Sequence, residues 1–128
     1  MNPFKASMSQ AVAGMQLQSQ RIGVTAENLS NVDTPGYRRK LLVPQMGQTS
    51  AEAFRSVAQV VLDQSEGEVK LDPAHPLADE NGYVTMSNVS LVTEMADLRE
   101  ANRSYEANLN SFQQARTMYR SLLDVLRR

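Results

Sequence analysis

The chain contains no cysteine, no tryptophan and a single histidine. Without cysteine there can be no disulfide, no thiolate metal site and no cysteine nucleophile. The same lack suits an oxidising compartment, where a stray thiol is a hazard. No apolar run approaches the roughly 20 residues that span a bilayer. The start, Met1-Asn2-Pro3-Phe4-Lys5, has neither the basic residues nor the apolar stretch of a cleaved secretory signal. The expectation is a chain that stays in the cytoplasm or leaves it without a cleaved signal. Excess charge of either sign is also missing, with 13 basic residues against 14 acidic and a formal net charge of −1. This gives no electrostatic reason to expect nucleic acid or direct membrane insertion, so any partner must be recognised locally. At 128 residues and 41% apolar positions, the length suits one modest core.

Proline and glycine are scarce at both ends. Between Pro3 and Val32 only Gly14 and Gly23 interrupt the chain, residues 33–86 hold the other four prolines and four glycines, and residues 87–128 hold neither. The pattern predicts an N-terminal helix within 1–32, a β-rich or irregular middle over 33–86, and a C-terminal helix within 87–128 that pairs with 1–32. The expected fold class is mainly α, with two long helices paired as a coiled coil around a small α+β middle.

Asn2-Pro3 is a start signal, a capping residue followed by a proline whose missing N–H costs nothing at the first helical position. Phe4, Met8, Ala11, Met15, Gln18, Ile22, Thr25, Leu29 and Val32 then follow at alternating spacings of four and three, a heptad seam. Leu91, Met95, Leu98, Asn102, Tyr105, Leu109, Phe112, Arg116, Tyr119, Leu123 and Leu126 form a second seam. An ordinary amphipathic core helix gives the same periodicity. Length favours the coiled coil, because helices of roughly 45 and 55 Å exceed the roughly 30 Å breadth of a globule of this size.

In the middle, Tyr37 to Val43 reads as a strand, and Val57 to Leu62 with Glu68 to Leu71 as a hairpin turning at Gln64-Ser65-Glu66-Gly67. A mobile loop is expected over about 45–53, where small and polar residues predominate.

Charge separates the two helices. Residues 1–32 carry only Lys5, Arg21 and Glu27, whereas the C-terminal helix carries eleven charges. A helix destined for water usually has many charges, and uncharged polar groups can be enclosed if their hydrogen bonds are met. The first helix is therefore expected to be surrounded by other chains. A second line on it, including Ala13, Leu17 and Val24, lies roughly opposite the main seam and is expected to meet neighbouring subunits; simple exposure is the plainer alternative.

No constellation for chemistry emerges, and no cofactor or metal is expected. The segment Asp72-Pro73-Ala74-His75-Pro76-Leu77-Ala78-Asp79-Glu80 holds the histidine between carboxylates, yet one histidine among turn residues falls short of the three or four convergent ligands a metal requires. Glu66 and Glu68 lack an apolar pocket to separate their pKa values as acid and base. Arg38-Arg39-Lys40 reads as a solvated strand end.

The run Ala26-Glu27-Asn28-Leu29-Ser30-Asn31-Val32-Asp33-Thr34-Pro35-Gly36-Tyr37-Arg38-Arg39 strongly resembles the N-terminal signature of the flagellar basal-body rod protein family and its axial relatives. Pro35-Gly36 suits the centre of a type II turn. Asp72-Pro73-Ala74-His75-Pro76, followed by Gly82-Tyr83-Val84, and the helix stretch Ala101 to Asn108 resemble the short proximal-rod members. Ser87-Asn88-Val89 departs from the Pro-Asn-Val common there, and Ser87 could instead cap the last helix. The resemblance implies a non-enzymatic structural subunit, exported by the flagellar type III apparatus and assembled in the periplasm through its terminal helices. It implies as partners copies of itself, the rod proteins FlgB, FlgF and FlgG, and the basal-body adaptor FliE. A cytoplasmic coiled-coil adaptor is the alternative reading, and a wall-degrading enzyme a weaker one.

Overall fold

The computed structural model describes residues 2–45 and 57–128, in the order α1 (Pro3–Ser30), β1 (Lys40–Gln45), β2 (Val57–Leu62), β3 (Val69–Leu71), β4 (Tyr83–Thr85) and α2 (Leu91–Leu126). It is mainly helical, with a long helix at each end. The start of α1 follows its sequence signal: extended Asn2 accepts the Phe4 N–H on its side chain at 2.9 Å, and Pro3 opens the first turn. The helix ends at Asn31, whose side chain turns back to donate to the Glu27 carbonyl at 2.9 Å.

The start of α2 departs from expectation. Ser87 does not cap it; its hydroxyl donates to the Val32 carbonyl at 2.5 Å and ties the two helix ends together. Ser90 occupies the capping position with extended backbone, without a side-chain capping bond.

The helices pack antiparallel. Phe4 meets Tyr119 with ring centroids 6.3 Å apart, Arg21 lies 3.9 Å from Glu100, and Asn28 bonds Glu94 at 3.3 Å. A methyl added at Gly14 would stand 2.7 Å from the Asn108 amide, so the two backbones approach closely there. The line of closest approach therefore runs through Ala11, Gly14, Arg21, Thr25 and Asn28 on α1. On α2 it follows the heptad Glu94, Ala101, Asn108 and Ala115, of which Glu94, Ala101 and Ala115 are buried. Met8, Met15, Ile22 and Leu29 flank that line, half-buried. The expected α1 seam shares Ala11 and Thr25 with this line while its large residues lie beside it, and on α2 Leu98, Phe112 and Tyr119 of the expected seam are half-buried and its other members exposed. Small residues let the backbones come together, so they and not the large ones hold the centre.

In the middle, β1 pairs antiparallel with β2, Lys40 opposite Leu62 through Gln45 opposite Val57, and β3 pairs with β4, Leu71 opposite Tyr83. The expected hairpin of Val57–Leu62 with Glu68–Leu71 does not form. The six-residue strand β1 offers β2 a full-length partner, whereas β3 is three residues long. The extra strand β4 takes β3 instead, and their pairing is prolonged by the Met86 N–H donating to the Glu68 carbonyl at 2.7 Å. Strand β1 also starts at Lys40, later than the expected Tyr37. Apart from Gln45, the loop expected over 45–53 lies outside the described residues.

Candidate functional site

The ends of both helices and the start of β1 meet at one polar junction. Asn28 sits at its centre, 1% exposed. Its side-chain oxygen accepts from the Tyr37 hydroxyl and from the Lys40 N–H, each at 2.9 Å. Its amide donates to the Lys40 carbonyl at 2.9 Å and to Glu94 at 3.3 Å. One side chain thereby satisfies both main-chain groups of Lys40 as a neighbouring strand would.

Glu94, also 1% exposed, is a carboxylate carried by α2 into the helix interface. Arg39 meets it through Nε, and reaches Asp97 through Nη2 at 2.8 Å. Arg39 is thus no solvated strand end, as its place in a basic run had suggested; a buried carboxylate needs a paired cation, and it is the cation. Burial works against its charge, but the hydrogen bond and charge of Glu94, with Asp97 and Asp63, hold its pKa above the ordinary range. Tyr37 is also pushed up, chiefly by burial and then by the Glu27 charge, so its hydroxyl stays protonated and donating. Lys40 is raised by its hydrogen bond to Glu27, at 2.5 Å.

Asn88 makes the second tie. Its oxygen accepts from the Arg39 N–H at 2.6 Å, and its amide donates to the carbonyls of Asp63 and Ser65 at 3.1 and 2.9 Å. It joins the approach to α2 with the start of β1 and the end of β2. Arg39, Asn88 and Glu94 were all missed as site residues in the sequence. The available signal was a charge, Glu94, on the same heptad line as Ala101 and Ala115.

The turn residues lie beside this junction. Tyr37 N–H donates to the Thr34 carbonyl at 3.2 Å across Pro35-Gly36, and Gly36 has φ +76°. Gly36 N–H then donates to the Thr85 carbonyl at 3.0 Å, linking the turn to β4. Leu29 is half-buried nearby, while Asn31 and Thr34 bond each other at 3.1 Å.

Asp72, Pro73, His75, Pro76 and Gly82 form the connection from β3 to β4, and Tyr83 and Val84 begin β4. The connection is closed on itself: Asp79 accepts the Asn81 and Tyr83 N–H groups at 2.9 and 2.8 Å, and His75 Nδ1 accepts from Leu77 N–H at 3.0 Å. Gly82 has φ +83°, and a methyl there would stand 2.9 Å from the Pro73 ring. Val84 is buried.

The remaining site expectations concern helix faces. On α2, Leu91, Met95, Tyr105, Leu109, Leu123 and Leu126 are exposed, and Leu98, Phe112 and Tyr119 are half-buried. On α1, Ala13, Leu17 and Val24 are half-buried, and Val24 lines a recess with Leu41 and Leu42 of β1. Val24 thus also has neighbours within the chain, because Asn28 holds β1 back along α1.

The helix pair and the turn after α1 agree with the resemblance seen in the sequence, and comparison with known proteins bears on it directly. Residues 8–38 match the family described as Flagella basal body rod protein, and residues 80–125 match Flagellar basal body rod FlgEFG protein C-terminal. The chain is 38% identical to the flagellar basal-body rod protein FlgC of Agrobacterium fabrum, over 99% of this chain and 98% of that one. It is 38% identical to the FlgC protein of Salmonella typhimurium over 84% and 87% of the two chains, and 32% identical to that of Borreliella burgdorferi over 94% and 96%. The chain belongs to the FlgC family of flagellar basal-body rod proteins.

Proposed function

We propose that the chain is a structural subunit of the proximal flagellar rod, exported by the flagellar type III system and polymerised through its terminal helices as part of the drive shaft for motility. Its partners on this reading are copies of itself, FlgB, FlgF, FlgG and FliE, and it works in the periplasm.

The observation that carries the reading is the apolar row Leu91, Met95, Tyr105, Leu109, Leu123 and Leu126, open on α2 of a single chain. On the rod reading these exposed apolar side chains are covered by neighbouring subunits. The nearly uncharged α1 supports enclosure by neighbours. The Ala13, Leu17 and Val24 line and the α2 row are accordingly assigned to contacts between subunits.

The test is complementation of a strain lacking the chromosomal copy, with exported protein measured alongside swimming. Leu109→Glu, Leu123→Glu and Leu17→Glu each place an unpaired charge in a contact, at a cost of several kcal/mol. Export within about twofold of wild type with loss of swimming is expected. Normal swimming of all three variants would refute assembly through these faces.

A further inference from the structure

The last turns of α2 extend past the start of α1. Phe4 meets Tyr119, and α2 runs on to Leu126, about 10 Å further. Every residue from Arg120 to Arg128 is exposed, Val125 at 66% and Leu126 at 72%. Charge is uneven in the same place. Residues 3–20 and 107–128, which form this end of the helix pair, hold Lys5, Arg116, Arg120, Arg127 and Arg128 against Asp124 alone. None of these cations forms an ion pair among the described residues.

The opposite pole is the complement. Strands β3 and β4 and their connection adjoin the other end of the helix pair, tied there by the Gly36 N–H to Thr85 carbonyl bond and by Ser87 on Val32. Residues 66–82 hold Glu66, Glu68, Asp72, Asp79 and Glu80 against Lys70 alone. These carboxylates form no ion pair among the described residues either. Val69, Leu71 and Leu77 stand among them, 57%, 63% and 65% exposed. The length of α2, roughly 50 Å, keeps the two surfaces apart within one chain.

We propose that the basic overhang of α2 docks on the acidic β3–β4 module of a second copy of this chain. The inference rests on the rod reading above. Each surface carries what the other lacks, free cations facing free carboxylates, and both present exposed aliphatic side chains that exclude water between them. Residues 46–56 hold one acidic and one basic residue, so they offer the overhang no such complement. Pairing overhang with overhang across a two-fold axis sets like charges together. Contact between opposite poles instead joins copies head to tail, the kind of contact that extends a helical line.

Charge exchange tests the pairing. Arg120→Glu/Arg127→Glu/Arg128→Glu reverses the overhang, and Glu66→Lys/Glu68→Lys/Glu80→Lys reverses the module; all six side chains are exposed. Each triple variant, and the chain with all six changes, is expressed in a strain lacking the chromosomal copy and quantified in the export fraction and in purified basal bodies. The expected result is export within twofold, at least a tenfold loss of either triple variant from basal bodies, and recovery of the six-change chain to within threefold of wild type, because every copy then carries exchanged poles. Triple variants incorporated at the wild-type level overturn the proposal. So does a six-change chain lost as fully as the triples, since each pole then meets a different protein.

Should export of any variant fall below half of wild type, cross-linking decides. Leu126→Cys/Leu77→Cys gives the chain its only two thiols, one on each pole. A bismaleimide added to purified basal bodies then links residue 126 of one copy to residue 77 of the next. Covalent dimers and longer multimers that neither single-cysteine variant yields support the proposal, and monomer throughout overturns it. Wild-type chain missing from basal bodies would sink the rod reading itself, a result distinct from selective loss of the triple variants.

Discussion

The Asn28 amide donates to the Glu94 carboxylate at 3.3 Å, across 66 residues of sequence, and both side chains are 1% exposed. Through this bond the end of α1 and the start of α2 share one buried charge, and through the other contacts of Asn28 they fix where β1 begins. The junction sets the direction in which the middle of the chain leaves the helix pair.

Asn28→Ala leaves both main-chain groups of Lys40 and one bond of Glu94 unmet. At about 1–3 kcal/mol for each buried polar group left without a partner, the expected loss is about 3 kcal/mol or more. Asn28→Asp should cost at least as much, since it sets a second carboxylate against Glu94. Urea unfolding followed by circular dichroism measures both; a change below about 0.5 kcal/mol in Asn28→Ala, the size of an ordinary surface substitution, would remove the junction from this role.

Gly36 is the backbone counterpart. With φ at +76° and open space where a side chain would project, Gly36→Val meets conformational strain and not a clash. A cost of about 1–3 kcal/mol is expected. Gly36→Asn, which tolerates this region better, should recover part of it. Equal swimming by the valine and asparagine variants would show that the turn conformation carries no weight.

Alkali should loosen the junction. Tyr37 and Lys40 both have pKa values raised in the folded chain, Tyr37 first by burial and Lys40 first by its bond to Glu27. A group whose folded pKa lies above its unfolded value contributes fully below the unfolded value, and that contribution is lost as pH rises through the folded one. For both groups the decline belongs above about pH 10. Tyr37→Phe should start with lower stability at pH 8, having lost its bond to Asn28, and then fall less between about pH 9 and pH 11. Parallel curves for the two proteins would exclude Tyr37 as a source of the decline.

The helix pair should be firm at the junction and weak toward its far end. Away from the junction, the buried apolar residues on the helices are Ala11, Ala101 and Ala115. Methyl groups remove little area from water, at roughly 25 cal/mol per Å², against an ordering cost near 1–2 kcal/mol per residue. Amide exchange on a verified monomer should show protection falling from Asn28 and Glu94 toward Phe4 and Tyr119. Uniform strong protection along α1 and α2 would mean the isolated chain needs no neighbours to order its helices.

Local chemistry made several features legible in the sequence. Asn2-Pro3 starts α1 because the side chain and the ring act within two residues, and Pro35-Gly36 turns the chain because only glycine takes that φ without strain. The two long helices followed from where proline and glycine are missing. The signature runs around Asn28 and Asp72 were enough to indicate the family. Which residues meet across the helix pair was decided only in three dimensions. Large apolar residues dominate a sequence pattern, yet Gly14 and the alanines lie where backbones approach closest, leaving Leu109 and Leu123 facing outward. Likewise Arg39 stood among basic neighbours until Glu94 was brought beside it from α2. The partner of β2 depended on competition between strands, and β1, held in place by Asn28, offered the longer one. Sequence settles what neighbours along the chain can satisfy between themselves; burial, charge pairing and strand choice depend on which distant groups arrive, because their energies exist only once water has been excluded between them.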